Sequence, residues 1–320
     1  MGTLYIDRKD IELRHESGCL LILEQGQRSG SLPYSHIERI VNFNRAVLDT
    51  SVLGALAEHG LSLVTLNARK PQRTAQLLAH THNEAARRIG QYRLSLDESR
   101  RDRWSRLLVK RKLLAQRAAL SRALEQRPDC RHVLFNAIAQ LDERIASLAA
   151  DLQRDSVRGI EGAAASAYFK AFCALFPAEL DFSGRNRRPP KDPVNACLSL
   201  AYTLAHSDAV LACHAAGLDP LLGFYHDLSF ARESLACDLL EPLRPRIDTW
   251  IWSQFRQRLL RADHFSQDKG ACLLGKAGRR IFYGEWEVFA PRVRRQLRVY
   301  ARLLLWAMKQ DDGDAGYSNE

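Results

Sequence analysis

Apolar positions change their rhythm near residue 83 of this 320-residue chain. Ahead of that point they come in short runs: Thr3-Leu4-Tyr5-Ile6, Cys19-Leu20-Leu21-Ile22-Leu23, Ile37-Glu38-Arg39-Ile40-Val41 and Leu61-Ser62-Leu63-Val64-Thr65-Leu66. Each run has the length of a strand, and Gly, Ser, Pro and Asn, the residues that favour turns, punctuate the gaps. Asp49-Thr50-Ser51 ahead of Val52-Leu53-Gly54-Ala55-Leu56-Ala57 has the form of a capped short helix, and Gly60 is placed to end it.

From residue 84 the apolar spacing becomes helical. Residues 84–125 predict one or two long helices in which Leu107, Leu108, Leu113, Leu114 and Leu120 recur among arginines. Pro128 interrupts the pattern and residues 133–152 resume it. Further helices are predicted over 160–175, 193–216, 229–240, 244–262 and 288–309. The final segment, DDGDAGYSNE, is polar and aperiodic, the composition of a disordered tail. The pattern therefore predicts an α+β protein: a small N-terminal β-rich domain over 1–83, a larger all-α domain over 84–310 that holds the chemistry, and a tail over 311–320.

Charge adds a partner to this outline. The chain carries 47 lysines and arginines against 37 acids, a net +10, which suits a polyanion such as nucleic acid or an anionic surface. The surplus sits in the helical half. Arg87 to Arg131 holds 14 basic residues against five acidic ones, Arg279 to Gln310 eight against two, and residues 181–191 four against one. One arginine-rich helix reads equally well as a solvated face. Three such stretches in one domain sum their fields on a common ligand. The most pointed is Arg185-Asn186-Arg187-Arg188-Pro189-Pro190-Lys191, where two prolines stiffen a loop of guanidinium forks suited to phosphate.

Other features restrict the setting. No run comes near the roughly 18 apolar residues that span a bilayer, and the first residues lack the apolar core of a secretory signal, so a cytoplasmic location is expected. The seven cysteines are scattered without a CxxC pair and read as reduced, buried thiols. The phosphate loop G-x-x-x-x-G-K-[ST], the G-x-S-x-G elbow and H-E-x-x-H are all absent. His80-Thr81-His82 has no acidic or thiol partner nearby in sequence and reads as a solvated loop.

Three segments offer chemistry. Gly159-Ile160-Glu161-Gly162-Ala163 sets an acid between glycines near the expected start of a helix, where the dipole favours negative charge and small residues permit close approach. Glu161 is also readable as no more than a helix-terminal charge. Gly223-Phe224-Tyr225-His226-Asp227 presents a histidine after an aromatic turn, which on its own suits a packing residue as well as a ligand. Ser234-Leu235-Ala236-Cys237-Asp238-Leu239-Leu240-Glu241-Pro242-Leu243-Arg244-Pro245 places Asp238 and Glu241 three apart among leucines. Such an acid pair needs a cation between its members, or Arg244 to neutralise Glu241. Together Glu161, His226 and Glu241 make a donor set for Mg2+ or Mn2+, the latter more tolerant of imidazole. No spacing rule says that these three meet.

Taken in order, the opening Leu4-Tyr5-Ile6-Asp7, Glu161-Gly162 with Tyr168-Phe169, Asn186 to Ala196 leading to Tyr202, Gly223 to His226, and Ser234 to Pro245 resemble the CRISPR-associated integrase family, Cas one. The resemblance spans roughly residues 1–305. It implies that Glu161, His226 and Glu241 are catalytic metal ligands for Mg2+ or Mn2+, with Asp238 a supporting acid. The implied activity is a metal-dependent DNA endonuclease and integrase that inserts short foreign DNA into a CRISPR array by transesterification. The implied partners are double-stranded DNA, a second copy of the chain bound through the β domain, and a small ferredoxin-like protein, Cas two; no membrane is involved. Arg185, Arg187, Arg188, Lys191 and Arg244 are the expected DNA contacts. A non-catalytic, basic DNA-binding scaffold is the competing reading.

Overall fold

A computed structural model describes residues 2–66, 74–78, 81–149, 151–186, 189–227, 229–230 and 232–316, with side chains to Gln310. It contains two compact units, Met1–Asn83 with His214–Gly217, and Glu84–Cys213 with Leu218–Glu320.

The first unit holds two four-stranded sheets. One has the order β1 (Gly2–Ile6), β5 (Ile37–Asn42), β7 (Ser62–Thr65), β8 (Ala75–Leu77), with the first three strands parallel and β8 antiparallel to β7. The other has the order β4 (Gln27–Pro33), β3 (Cys19–Glu24), β2 (Ile11–Glu16), β6 (Ala46–Leu48). Helix α1 (Thr50–Glu58) begins where Asp49 accepts a bond from the Ser51 amide at 2.9 Å, and it ends before Gly60 at φ +67°. Ile11, Leu13 and Leu20 from one sheet, Ile37, Ile40 and Leu63 from the other, and Val52 and Leu56 from α1 close a single apolar core.

The second unit is built from α2 (Ala85–Leu96), α3 (Glu98–Gln126), α4 (Arg131–Ala146), α5 (Arg154–Cys173), α6 (Pro193–Ala216), α7 (Ser234–Leu240), α8 (Arg244–Arg256) and α9 (Lys276–Gly316). It also contains a short antiparallel hairpin, β9 (Phe265–Asp268) with β10 (Ala271–Leu274), which periodicity did not foreshadow. The long helix α3 is its axis. Ser105, Val109, Leu113, Gln116, Leu120 and Ala123 recur every three or four residues, so they form one stripe, which is buried. That helix packs on α4, α5, α8 and the 3-10 turn Glu241–Leu243.

Several helices are bounded differently from the expected spans: α4 ends at Ala146, α7 begins only at Ser234 and α8 stops at Arg256, and three further differences bear on the site and the setting. Helix α5 begins at Arg154, about two turns ahead of Glu161, so Glu161 is an interior residue outside the reach of the N-terminal dipole. Helix α9 begins at Lys276 and runs on to Gly316, into the segment expected as an unstructured tail. And α6 is, by length and composition, apolar enough to cross a membrane, against the expectation that no stretch comes near. Its most apolar stretch is 67% buried in the protein, with Val194, Cys197, Leu198 and Ala201 fully covered, the surroundings of a core helix.

Candidate active site

A cavity of about 300 Å3 in the helical unit is lined by Lys112, Glu161, Tyr225, His226, Asp227 and Glu241, among others. Four separate pieces of chain supply them. Lys112 comes from α3 and Glu161 from α5, His226 from the segment ahead of α7, and Glu241 from the 3-10 turn between α7 and α8. Pro242 suits the start of that turn because its missing N–H would have had no helical partner there.

Glu161 and Glu241, remote in sequence, converge on one cation. The Lys112 ammonium donates to Oε1 of Glu161 and to Oε2 of Glu241, the latter at 2.5 Å. Glu241 also accepts from Arg244 Nε at 2.8 Å. Burial works against the Glu241 charge, but Arg244 and Lys112 outweigh it and hold its carboxyl well below the usual range. Burial likewise opposes the Lys112 charge, and Glu241 and Glu161 more than offset that, raising its pKa.

Asp238 has a different task from its neighbour three residues on. Its side chain is 1% exposed and gathers four donors from the loop that carries His226. The amides of Phe224 and Tyr225 reach Oδ2 at 2.6 and 3.0 Å, and the His226 amide reaches Oδ1 at 3.1 Å. His226 Nδ1 lies 2.6 Å from Oδ1, so the ring donates there and presents Nε2 as its acceptor nitrogen. Because α7 ends at Leu240 and the chain tightens into a 3-10 turn, Asp238 and Glu241 do not share a cation. The glycine that matters is Gly223, where a Cβ would stand 2.7 Å from Asp238 Oδ2 and 2.8 Å from the Ser234 carbonyl carbon. Gly159 and Gly162, expected to admit a close neighbour, face open space: a Cβ there meets no protein atom within 4 Å.

The structure brings together Glu161, His226, Glu241 and Asp238 and adds Lys112, which sequence reasoning missed because it is one of 14 basic residues in its stretch. Among the described residues no group of three His, Cys, Asp or Glu side chains is spaced to hold an ion in this arrangement, in which the Lys112 ammonium stands between the two glutamates.

The expected DNA contacts divide. Arg244 pairs with Glu241 and stacks over the Tyr202 ring at 4.5 Å, the neutralising role left open by sequence. Arg185 donates to the Asn195 side chain at 2.7 Å and to Ser199 at 3.1 Å and covers the same ring at 5.5 Å. Both guanidiniums thus hold the wall behind the pocket. There Tyr168 and Tyr202 donate to Asp248, whose carboxyl is pushed up to about 6 by burial, against the tyrosine bonds and the nearby arginines. Lys191 is exposed. Arg187, Arg188 and His80 lie outside the described residues.

The architecture is that of an α+β protein whose acid-lined pocket is enclosed by helices rich in arginine. The family model for CRISPR associated protein Cas1 matches residues 4–288, and the chain belongs to that family. It is 38% identical over 312 residues to a CRISPR-associated endonuclease Cas1 from Thermodesulfovibrio yellowstonii, covering 95% of this chain and 98% of the relative. A casposase bound to its integration product superposes with a TM-score of 0.81 at 20% identity, covering 96% of this chain and 91% of the casposase. A Cas6-RT-Cas1–Cas2 complex superposes with a TM-score of 0.80 at 22% identity, covering 97% of this chain and 35% of the larger one.

Proposed function

We propose that this chain is a divalent-metal-dependent DNA endonuclease and integrase that joins short DNA into a CRISPR array. The observation that carries the reading is the convergence of Glu161 and Glu241 on a single cation beside His226. The relative's endonuclease name and the casposase's integration product supply the reaction class.

The donor set fits Mg2+ or Mn2+. The buried Glu241 and the partly buried Glu161 already meet at one positive charge, and the imidazole Nε2 faces the same cavity. Glu161, Glu241 and His226 would hold the ion, which when bound supplies Lewis-acid stabilisation of charge on a phosphodiester. Lys112 must then swing its ammonium off the glutamates, which its flexible four-carbon stem permits. Asp238 keeps the His226 ring from turning, so Nε2 stays aimed whether it ligates or carries a proton. Basic helices grip the duplex through phosphates, without reading bases. In the reaction the 3′-hydroxyl of the incoming strand gives up its proton as its oxygen bonds to phosphorus, while the repeat's P–O3′ bond breaks and the departing 3′-oxygen takes up a proton.

The substrate is double-stranded DNA in the cytoplasm. The partners are a second copy of the chain, docked through the β-rich unit, and the small ferredoxin-like Cas2, in keeping with the solved Cas1–Cas2 complex. A non-catalytic DNA-binding scaffold is favoured by one observation, the lysine standing between the acids. Plasmid nicking and half-site integration with and without Mn2+ separate the two. Glu161→Ala abolishes both activities and leaves DNA affinity intact; an unchanged rate discards the catalytic reading.

A further inference from the structure

Beside the acidic pocket, three guanidiniums crowd one carboxylate. Arg101 extends from α3, and Arg154 and Arg158 from α5, towards Asp227, the residue after His226. Arg158 pairs with Asp227 at 2.6 Å, whereas Arg101 and Arg154 stand at 3.8 and 4.0 Å, beyond hydrogen-bond reach. Among the described residues Arg158 also pairs with Asp155 at 3.1 Å, which is 91% exposed, and Asp102 acts on Arg101 from the same helix. Asp227 itself is 56% exposed. Three guanidiniums therefore crowd one half-exposed carboxylate, with Asp155 and Asp102 each acting on a single arginine at the margin.

The donors are as unbalanced as the charge. Nε of Arg101, and Nε and Nη1 of Arg154, are buried with no hydrogen-bond acceptor among the described residues. A buried donor without an acceptor loses its hydration with nothing to replace it. The crowding shows in Arg101, whose pKa is lowered by burial and then by Arg154, with Asp227 opposing. A cluster kept only for packing would be closed by another carboxylate. A tetrahedral oxyanion, by contrast, supplies several acceptors at once and matches the guanidinium fork. The place also fits, because Arg158 and Asp227 line the same cavity as Glu161 and Glu241.

We propose that Arg101, Arg154 and Arg158 form a phosphate site for the DNA phosphodiester that flanks the reacting one, and that Asp227 is the counter-ion which this phosphate displaces. This deepens the DNA-processing reading and rests on it. In the free protein Asp227 offsets part of the arginines' mutual repulsion. On DNA the phosphate takes over, and the loop that carries His226 is freed from its tether at Asp227.

The test is binding of a labelled branched duplex to the full-length protein in EDTA, followed by fluorescence anisotropy across about 50–300 mM salt. Arg154→Gln weakens binding about tenfold and lowers the salt slope by about one. Asp227→Asn removes the competing carboxylate and tightens binding a few-fold, a gain that a purely structural role does not produce. Inorganic phosphate, added at constant ionic strength, competes with DNA on the wild type and far less on Arg154→Gln. Asp227→Asn binding no tighter than wild type overturns the proposal, as does an unchanged salt slope in a folded Arg154→Gln. Phosphate that raises the melting temperature of the wild type without displacing DNA assigns the cluster to the free ion and also overturns it. Glu161→Ala, measured alongside, shows the same two binding effects when combined with these variants, so loss of the catalytic reading is read separately.

Discussion

The Lys112 ammonium donates to Glu161 and Glu241 at once, tying α5 to the turn that follows α7. Its side chain is 12% exposed and those of the glutamates 19% and 7%, so the three charges interact with little screening. Breaking a buried pair by deleting one member leaves the other charge uncompensated, which costs far more than the intact pair contributes.

Lys112→Met therefore destabilises the protein without metal, by about 2–4 kcal/mol, since Glu161 loses this ammonium and Glu241 keeps Arg244 as its ion-pair partner. If the glutamates hold the proposed metal, the same change removes its competitor. Mn2+ should then raise the melting temperature of Lys112→Met by more than it raises that of the wild type, because ligand binding to the folded state stabilises by mass action. Thermal melts of both proteins with and without Mn2+ check this; equal shifts would show that lysine and metal do not share a position.

Asp238 and Gly223 act through His226. Asp238→Asn cannot accept all four loop donors, and the ring loses its fixed aim. Nicking should fall about 10–100-fold with DNA affinity unchanged. Gly223→Ala forces its Cβ against Asp238 and the Ser234 backbone, and shifts the same loop. It should reproduce the loss and also lower the melting temperature, whereas Gly162→Ala, where the space is open, should lower neither stability nor folding yield. Parallel nicking rates and melts decide the point.

A separate pair predicts a pH dependence. His206 on α6 lies 3.0 Å from Glu233, and its pKa is raised to about 9: burial disfavours the charge, while bonds to Cys237 and Glu233 more than restore it. A histidine whose folded pKa lies above its unfolded value near 6.5 contributes fully below that lower value. The contribution disappears as pH rises through about 9. Wild type should thus exceed His206→Gln by on the order of 2 kcal/mol at pH 6, and the gap should close by pH 10. Urea midpoints at the two pH values measure it; a constant gap would mean that the pair makes no proton-linked contribution.

Periodicity made the broad plan legible. The runs at Cys19–Leu23 and Leu61–Leu66, the Asp49 cap and the span of α6 all stand in the structure near where the sequence placed them. Strands with few apolar residues were invisible. The β4 sequence Gln-Arg-Ser-Gly-Ser-Leu-Pro has almost nothing to bury and is a strand because β3 pairs with it along its length. Within the site, Glu161, His226, Glu241 and Asp238 were each nameable from their local surroundings and the family resemblance. Two local arguments did not survive: Glu161 is no helix terminus, and its flanking glycines meet no protein neighbour.

The sequence by itself determined which side chains carry charge, where helical stripes replace short strands, and that the helical half is basic, because these depend only on residue identity and near neighbours. Tertiary structure decided which charges meet. Lys112 rather than another of the basic residues on α3 joins the glutamates, Arg244 faces inward to Glu241, and Asp238 turns to the His226 loop. Those choices follow from how α3, α5 and α7 pack, and contact between residues tens of positions apart is a property of that packing alone.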